Sequence, residues 1–252
     1  MYTKVKTKDE IVAMRTSGSI LAQVLAEAKK HIAPGAPTQL LSDVADKEVR
    51  ALGATPAFRG YQGFPESLCV SVNDEVVHGI PRSNTILEEG DIVSMDFGVT
   101  YQGMITDSAI SVIVGAADPK DEALLEATQK SLHKGIAQLK DKVRVGDIAH
   151  AIQNELDKAG YGIVRELVGH GVGHHVHEEP NIPNYGKAGT GPTLEAGMTI
   201  AIEPMATIGD YRVMIDSDGW TVRTRDGSRS AHFEHTVLIT KNGAEILTQA
   251  SA

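Results

Sequence analysis

The sequence has a single cysteine, Cys69, among 252 residues. A disulfide within the chain is therefore excluded, and a zinc finger would need more thiols or a different histidine pattern. No basic run or basic helix face is present, and the formal charge is -9, so nucleic acid is not an expected partner. The first ten residues contain no apolar signal core, and no apolar run reaches the roughly 18 residues of a membrane span. We therefore expect a cytoplasmic protein that binds neither DNA nor a membrane.

The chain does contain a regular succession of helical and strand-like segments. The predicted helices cover residues 8–31, 38–53, 120–140 and 146–159. The predicted strands cover residues 66–72, 92–99, 104–115, 197–204 and 231–240. Apolar residues make up 41% and charged residues 23%, as in an ordinary globular protein, so the chain fits one large domain or two small ones.

The order of these segments contains an internal repeat. A shift of 107 residues brings Leu41 onto Ile148, Val49 onto Leu156, Gly53 onto Gly160 and Asp96 onto Glu203. One matching helix would be weak support, because amphipathic helices resemble one another. Support is stronger when a helix, its terminal glycine and an acid all coincide under the same shift. The pattern predicts a duplicated α/β architecture, over about residues 8–115 and 116–245, with the site between the halves.

Two acids interrupt neighbouring segments that should otherwise be apolar. Asp96 lies in VSMDFGV, and Asp107 lies in the next predicted strand. A hairpin that turns about Tyr101 and Gln102 would place the two acids opposite each other, with Cβ atoms about 4.5–5.5 Å apart. Two ionised carboxylates at that distance repel, so this pairing predicts either a protonated acid or a cation between them. The alternative is another register, with one acid at an exposed strand end.

The second half repeats the pattern with Glu203 in TIAIEPM and Glu234 in AHFEHTV. A lone acid in such a strand is usually paired with Arg or Lys, or exposed at an edge. Few basic residues lie near these acids in the sequence, so four of them together favour a metal site.

The stretch GHGVGHHVHEEP adds four histidines: His170, His174, His175 and His177. It contains no HExxH, which excludes the zinc-protease helix. Spacing alone does not select a ligand among them. Four carboxylates with one histidine suit Mn²⁺, Fe²⁺ or Co²⁺ better than a structural zinc. Two ions about 3.5–4 Å apart would use all five ligands, and such pairs carry out hydrolysis through an activated water.

Six motifs, in this order, resemble the methionine aminopeptidases, most closely the bacterial type I group: NDEVVHGIP (73–81), MDFG (95–98), TDSA (106–109), GHGVGHHVHEEP (169–180), IEPM (202–205) and FEHT (233–236). The resemblance spans about residues 8–245. It implies an α/β (α+β) pita-bread fold, with two pseudo-symmetric α/β halves around a central curved antiparallel sheet. It also implies one catalytic metallopeptidase domain over residues 1–252.

The activity that this resemblance implies is removal of the amino-terminal methionine from nascent proteins and peptides, with a small second residue preferred. The nucleophile would be a water activated by two divalent ions, Fe²⁺, Mn²⁺ or Co²⁺. Asp96 would bind one ion, Asp107 and Glu234 would bridge both, and His170 and Glu203 would bind the other.

The same resemblance implies three catalytic residues. His177 would contact the substrate carbonyl, His78 would lie near the scissile amide nitrogen, and Glu203 would accept a proton from the attacking water. An apolar, methionine-sized pocket would be lined by Tyr61, Phe64, Cys69, Trp220 and Phe58, with Cys69 equally interpretable as a core thiol. The remaining histidines of these motifs are interpreted as structural: His174, His175, His232 and His235.

Two other functions share parts of this pattern. Xaa-Pro aminopeptidases and prolidases have the same fold and ligands but usually carry a further amino-terminal domain, whereas only 95 residues precede Asp96 here. A non-enzymatic binding module on this fold would show no stoichiometric metal dependence. Gln62 and Phe64 replace a histidine and a tyrosine expected in the bacterial group, which affects the pocket rim. The expected partners are nascent chains that begin with methionine; a monomer is expected, and ribosome contact is left open.

Overall fold

The structure, a computed structural model, describes residues 2–249. The helices are α1 (Lys8–Lys29), α2 (Thr38–Ala51), α3 (Pro119–Ile136) and α4 (Val145–Ala159). The strands are β1 (Thr55–Pro56), β2 (Cys69–Val72), β3 (Glu75–Val77), β4 (Ile92–Tyr101), β5 (Met104–Ile113), β6 (Gly162–Ile163), β7 (Gly169–Gly171), β8 (Glu178–Ile182), β9 (Thr199–Ile202), β10 (Met205–Thr207), β11 (Val213–Ile215), β12 (Val222–Thr224), β13 (Ser230–His232), β14 (His235–Ile239) and β15 (Ala244–Ile246). No helix among these residues is long and apolar enough to cross a membrane.

The two halves of the chain follow the same plan of two helices followed by a long hairpin. The α2 and α4 helices begin at Thr38 and Val145, and β4 and β9 begin at Ile92 and Thr199, so both pairs are offset by 107 residues. Each half has its own core. Fully buried Leu41 of α2 packs with β4 in the first, and α3 and α4 pack against β9 in the second. The predicted mixed α/β fold of two pseudo-symmetric halves is therefore confirmed.

The hairpin of the first half, β4–β5, has a different register from the predicted one. Asp96 faces Ala109 rather than Asp107. The turn is Gln102–Gly103, with φ values of 48° and 78°, which is the left-handed backbone that two-residue hairpin turns require. The predicted turn was one residue too early, so the predicted partner of Asp96 was wrong by two residues. Because side chains alternate with a period of two, the acids are diagonal neighbours on one face of the sheet.

The hairpin of the second half is interrupted where its acids occur. The predicted strand 197–204 ends at Ile202, and the predicted strand 231–240 is split at Phe233 and Glu234. Pro204 lacks an N–H and cannot continue the ladder. The register nevertheless continues across the gap, because Ile202 faces His235 and Met205 faces His232. Glu203 and Glu234 therefore occupy opposed positions at the junction of two sheets.

Two other predicted boundaries differ from the structure. The strand predicted over residues 66–72 begins only at Cys69, which is the first residue to pair with β4. The helix predicted over residues 120–140 ends at Ile136, and beyond it Leu139 turns into the core of the second half.

Side-chain hydroxyl groups join the two halves along β5 and β14. Thr236 Oγ1 accepts a hydrogen bond from the Asp107 N–H and donates one to the Asp107 carbonyl, each at 2.8 Å. Ser108 Oγ donates to the Glu234 carbonyl at 2.6 Å, and the Glu234 N–H donates to the Ala109 carbonyl at 2.9 Å. These bonds hold an acid of each half beside the other.

Candidate metal centre

A single pocket of about 610 Å³ brings together all twelve site residues predicted from the sequence. Its size is typical of small-molecule sites. The lining residues are Phe58, Tyr61, Gln62, Phe64, Cys69, Val77, His78, Asp96, Asp107, His170, His177, Glu203, Trp220 and Glu234. Gln62 and Val77 are the two that were not assigned a site role from the sequence. Val77 lines the pocket because it is the last residue of strand β3, directly before His78.

The four acids of the pocket are buried and lack cationic partners. Their exposed fractions are 8% for Asp96, 3% for Asp107, 8% for Glu203 and 2% for Glu234. Within the described residues, neither Lys nor Arg forms an ion pair with any of them, and the only cationic-type neighbours of Glu203 are the histidines His170 and His232. One oxygen each of Asp96, Asp107 and Glu234 has no hydrogen-bond partner. Buried carboxylates in this state are costly, so the donor set fits bound cations.

Burial and mutual repulsion raise the pKa values of these acids. Burial raises the pKa of Asp96 to about 6 and that of Glu203 to about 8. Burial, and then the neighbouring carboxylates, raise the pKa values of Asp107 and Glu234 well above their usual range. A cation among them would reverse these shifts, because it favours the ionised form.

His170 is oriented as a metal ligand. Its Nδ1 lies 2.9 Å from the Gly171 carbonyl, so an Nδ1–H donated there leaves a lone pair on Nε2. Burial lowers the pKa of His170 to about 3, so the ring is neutral. Ligand atoms of Asp107, His170 and Glu234 all lie within 4.8 Å of one another, a spacing that one cation could fill. The hydrogen bond of the other ring nitrogen to a carbonyl is typical of metal-bound histidines.

The strand that carries His170 requires glycine for its close packing. A Cβ on Gly169 would lie 2.4 Å from the Ala201 carbonyl oxygen of the neighbouring strand β9. The glycines around His170 therefore let β7 approach β9 closely, and this approach places the imidazole beside Glu203. Nε2 of His170 lies 3.5 Å from Oε1 of Glu203.

His177 lies at the mouth of the pocket, in contact with two other rings. Its Nδ1 is 2.9 Å from the Tyr61 hydroxyl, and its ring centroid is 4.4 Å from that of His170 in an edge-on arrangement. Partial desolvation lowers the pKa of His177. A Tyr61 hydroxyl proton donated to Nδ1 leaves the imidazole proton on Nε2, where it can be donated to a ligand.

His78 enters the pocket from the end of β3. Its φ of 60° is in the left-handed region, which is uncommon for a residue with a Cβ. Burial lowers the pKa of His78 to about 4. The ring is therefore neutral near pH 7, and it can hydrogen-bond to a ligand without carrying a charge.

An apolar cluster forms one wall of the pocket. Phe64 and Trp220 meet edge to face, with ring centroids 5.3 Å apart, and Phe58 and Cys69 complete the cluster. Burial and the nearby carboxylates raise the pKa of the Cys69 thiol. A thiol that stays protonated is a poor nucleophile, so Cys69 acts as an apolar wall residue.

Two residues beside Glu203 were not assigned a site role from the sequence. His232 is 1% exposed, neither ring nitrogen has a hydrogen-bond partner, and its Nε2 lies 3.6 Å from Oε2 of Glu203. Asn184 is fully buried and donates from Nδ2 to the Glu203 carbonyl at 3.0 Å. For His232, its place two residues before Glu234 was a usable signal. Asn184 lies in a loop and gives no signal in the sequence.

None of the four histidines interpreted as structural lines the pocket, although His232 lies beside Glu203. His174 Nε2 lies 2.8 Å from a Glu10 carboxylate oxygen, and His235 Nδ1 lies 2.9 Å from the Thr248 hydroxyl. His175 is exposed.

Known proteins match this chain over nearly its full length. The profile of metallopeptidase family M24 matches residues 12–241. Methionine aminopeptidase 1 of Bacillus subtilis (strain 168) is 47% identical over 244 residues, which cover 97% of this chain and 98% of that protein. The chain belongs to metallopeptidase family M24, among its methionine aminopeptidases. The Aquifex aeolicus methionine aminopeptidase is 45% identical over 257 residues and covers 99% of this chain and 100% of that protein.

Solved structures of M24 enzymes give the same result. The crystal structure of a methionine aminopeptidase from Thermotoga maritima superposes with a TM-score of 0.97 at 47% identity, over 98% of this chain and 99% of that one. A prolidase from Pyrococcus furiosus superposes with a TM-score of 0.79 at 24% identity, over 98% of this chain and 66% of that one. The prolidase is a distant relative, and its likeness shows the fold alone.

Proposed function

We propose that this chain hydrolyses the first peptide bond of proteins and peptides that begin with methionine, and that it prefers a small second residue. The observation that carries the proposal is the group of four buried acids and one neutral histidine on the floor of a single pocket with an apolar wall. The acids lack cationic partners, and the wall offers a site for an unbranched apolar side chain. The match to methionine aminopeptidases over 97% of the chain supports the same substrate.

We propose that the acids and His170 bind two divalent ions, which are Mn²⁺, Fe²⁺ or Co²⁺. Asp107, Glu234 and His170 already lie close enough to hold one ion together. Glu203 lies on the His170 side, and Asp96 has an unpartnered oxygen available for the second ion. When bound, such ions provide a nucleophilic water at neutral pH and polarise the scissile carbonyl. An oxygen-rich donor set of this kind accepts several divalent ions.

The side chains around the ions have separate tasks in this proposal. His177 donates a hydrogen bond from Nε2 to the substrate carbonyl oxygen and stabilises the negative charge that develops there. His78, which is neutral, hydrogen-bonds to the nitrogen of the departing amine. Glu203 accepts the proton of the attacking water on a carboxylate oxygen. Burial raises its pKa to about 8, and bound cations would lower that pKa again, because they favour the ionised form that can accept a proton.

The pocket wall holds the methionine side chain. Phe64 and Trp220, in edge-to-face contact, form its aromatic part, and Phe58 and Cys69 are buried beside them. Gln62 is exposed at the rim, where the second residue of a substrate would pass. A rim formed by Tyr61 and Gln62 restricts that residue in size.

Release of methionine from Met-Ala-Ser by the purified protein tests the proposal. Metal-free protein is compared with protein reconstituted with Mn²⁺, Fe²⁺ or Co²⁺, with Met-Leu-Ser as the matched substrate for the second residue. We expect metal-dependent release, faster from Met-Ala-Ser than from Met-Leu-Ser. No release from either peptide, despite bound metal, would contradict the proposal.

The second candidate is a proline-directed peptidase, which the shared fold of the prolidase favours. Ala-Pro-Ser is the discriminating substrate: we expect it to remain intact. A protein that binds no metal and cleaves neither peptide would instead be a non-enzymatic binding module.

We further propose that residues 1–252 form one catalytic domain, of which residues 1 and 250–252 lie outside the described part. The same proposal includes a cytoplasmic monomer that acts on nascent chains. Light scattering after size-exclusion chromatography tests the monomer, and co-sedimentation with ribosomes tests a ribosome contact.

A further inference from the structure

The amino-terminal arm, residues 2–7, lies against the segment that follows His177. The Thr3 N–H donates to the Glu179 carbonyl at 2.6 Å, and the Lys6 N–H donates to the Gly197 carbonyl at 2.8 Å. The arm is thereby fixed along its backbone at both ends of its contact with the second half.

A buried ion pair joins this arm to the segment. Lys6 Nζ lies 3.4 Å from Glu178 Oε2, and the side chains are 0% and 2% exposed. Nζ also donates to Thr3 Oγ1 at 3.0 Å and to the Lys4 carbonyl at 3.1 Å. The ammonium group therefore has several hydrogen-bond acceptors, which a buried charge requires.

The other oxygen of Glu178 organises the turn before His177. Oε1 accepts hydrogen bonds from the backbone N–H groups of His174 at 2.8 Å and His175 at 3.0 Å. Gly173 packs against the lysine stem, where a Cβ would lie 2.4 Å from Lys6 Cε, and its φ of 148° favours glycine. The carboxylate thus bonds to Lys6 on one side and to the turn on the other.

His177 stands between this turn and Glu178 in the sequence. Its ring contacts the Tyr61 hydroxyl and the His170 ring in the pocket, but among the described residues no side chain hydrogen-bonds to its backbone. The backbone position of His177 therefore depends on its two neighbours in the chain, which are strand β8, paired with β7 from Glu178 onward, and the turn that the Glu178 carboxylate holds.

We infer that the Lys6–Glu178 pair, called here the latch, is a positioning device that sets where His177 stands in the pocket. The inference rests on the function proposed above, in which His177 donates to the substrate carbonyl. Neither Lys6 nor Glu178 lines the pocket, so in this inference both act through His177. A displacement of a catalytic group by about 1 Å can cost roughly 100-fold in rate. Loss of the latch should let the turn shift, and with it His177, which should lower kcat more than it weakens substrate binding.

The test compares three variants by steady-state kinetics on Met-Ala-Ser. Lys6→Met keeps the apolar stem but leaves the Glu178 charge buried and unpaired, and we expect kcat to fall roughly 10- to 100-fold with little change in KM. Lys6→Met combined with Glu178→Gln removes both charges and keeps an oxygen for the two N–H groups, so kcat should return close to that of the parent protein. Lys4→Met is the matched control, because Lys4 is exposed and contributes only its carbonyl.

Hydrogen exchange provides a readout that does not depend on activity. In the parent protein the amides of His174 and His175 should be protected, because both donate to Glu178. Lys6→Met should speed their exchange, and the double variant should slow it again. The inference fails if Lys6→Met keeps its kcat, or if the double variant recovers neither rate nor protection. Absence of methionine release by the parent protein would refute the proposed function instead, because the exchange result is obtained without substrate.

Discussion

The two central hairpins each provide two acids to the pocket, but they hold those acids in different ways. In the first half, β4 and β5 are uninterrupted strands of ten residues each, and the ladder carries both Asp96 and Asp107. Thr236 of the second half adds hydrogen bonds to the Asp107 backbone. In the second half the ladder is missing at Glu203 and Glu234. Equivalent ligands can therefore be supported by a regular sheet in one repeat and by a gap in the other.

Because the ladder is missing at Glu203 and Glu234, other groups fix the backbone of these two acids. The Glu203 carbonyl accepts from the buried amide of Asn184, and the Glu234 carbonyl accepts from the Ser108 hydroxyl. The Glu234 N–H donates to the Ala109 carbonyl of the first half. The acids of the second half are thus positioned by neighbouring segments and by the other hairpin. We expect them to be more sensitive to changes outside their own strands.

The largest effect should be the same in both halves. Asp96→Ala and Glu203→Ala should each lower kcat/KM for Met-Ala-Ser by roughly 1000-fold, because loss of a ligand removes several kcal/mol of metal-based charge stabilisation. The fold should survive, since each acid is unpaired in the pocket. Activity and thermal melting measure the two outcomes; near-normal activity in either variant would refute that ligand assignment.

Removal of a side chain that supports an acid from outside its own strand should affect metal binding more in the second half than in the first. Asn184→Ala frees the Glu203 carbonyl, and we expect metal affinity to fall roughly 10- to 100-fold, as for other groups that orient ligands. Ser94→Ala is the matched control: its hydroxyl bonds to Ser111 at 2.7 Å within the first sheet and supports no acid. Calorimetric titration of the metal-free proteins with Mn²⁺ gives both affinities. Equal losses would mean that both hairpins depend on such supports.

Glu203 and Asp96 should also contribute differently to the pH dependence of the metal-free protein. Burial raises the pKa of Glu203 to about 8, so the folded chain keeps a proton that the unfolded chain has lost, and stability falls as the pH rises towards about 8. The buried histidines have lowered pKa values. Their effect on stability is the opposite one, a fall as the pH drops below about 6.5. Between about pH 6.5 and 8 stability should therefore fall, and Asp107 and Glu234, whose pKa values burial also raises, add to this fall.

Thermal or urea unfolding in a chelator, at pH values across that window, measures this loss. Glu203→Gln should reduce it, whereas Asp96→Asn should leave most of it, because burial raises the pKa of Asp96 only to about 6. Saturating Mn²⁺ should remove the dependence. Identical slopes for the two variants would show that Glu203 and Asp96 do not differ in this respect.

The smallest effect concerns a contact between the halves. Tyr61 of the first half bonds to His177 of the second. Tyr61→Phe keeps the ring but loses this hydrogen bond, whose net value of about 0.5–1.5 kcal/mol corresponds to a fall in kcat of roughly 2- to 10-fold. We expect KM to stay nearly constant. A rise in KM alone would mean that the hydroxyl binds substrate rather than orienting His177.

The acids, the repeat and the pocket residues could be predicted from the sequence because each follows a local rule. An acid among apolar strand residues, such as Asp96, is visible without a structure. The hairpin register was wrong although its signal was present: Gly103 favours a turn at Gln102–Gly103, because both central residues need positive φ. Pro204 likewise indicated that the ladder could not continue there.

The supporting residues could not be predicted in the same way. Asn184 acts through its hydrogen bond to the Glu203 carbonyl, although 19 positions separate the two residues in the sequence. Lys6 meets Glu178 across 172 positions. Such partners are set by how distant segments pack, and neither periodicity nor local composition encodes that packing.

The pocket also contains a built-in optical probe. Trp220 is the only tryptophan of the chain, and its indole lies in the pocket wall against Phe64. All tryptophan emission from this protein therefore originates at the site itself. A ligand that enters the wall changes the polarity around the indole, so occupancy can be followed by intrinsic fluorescence without a label and without catalytic turnover.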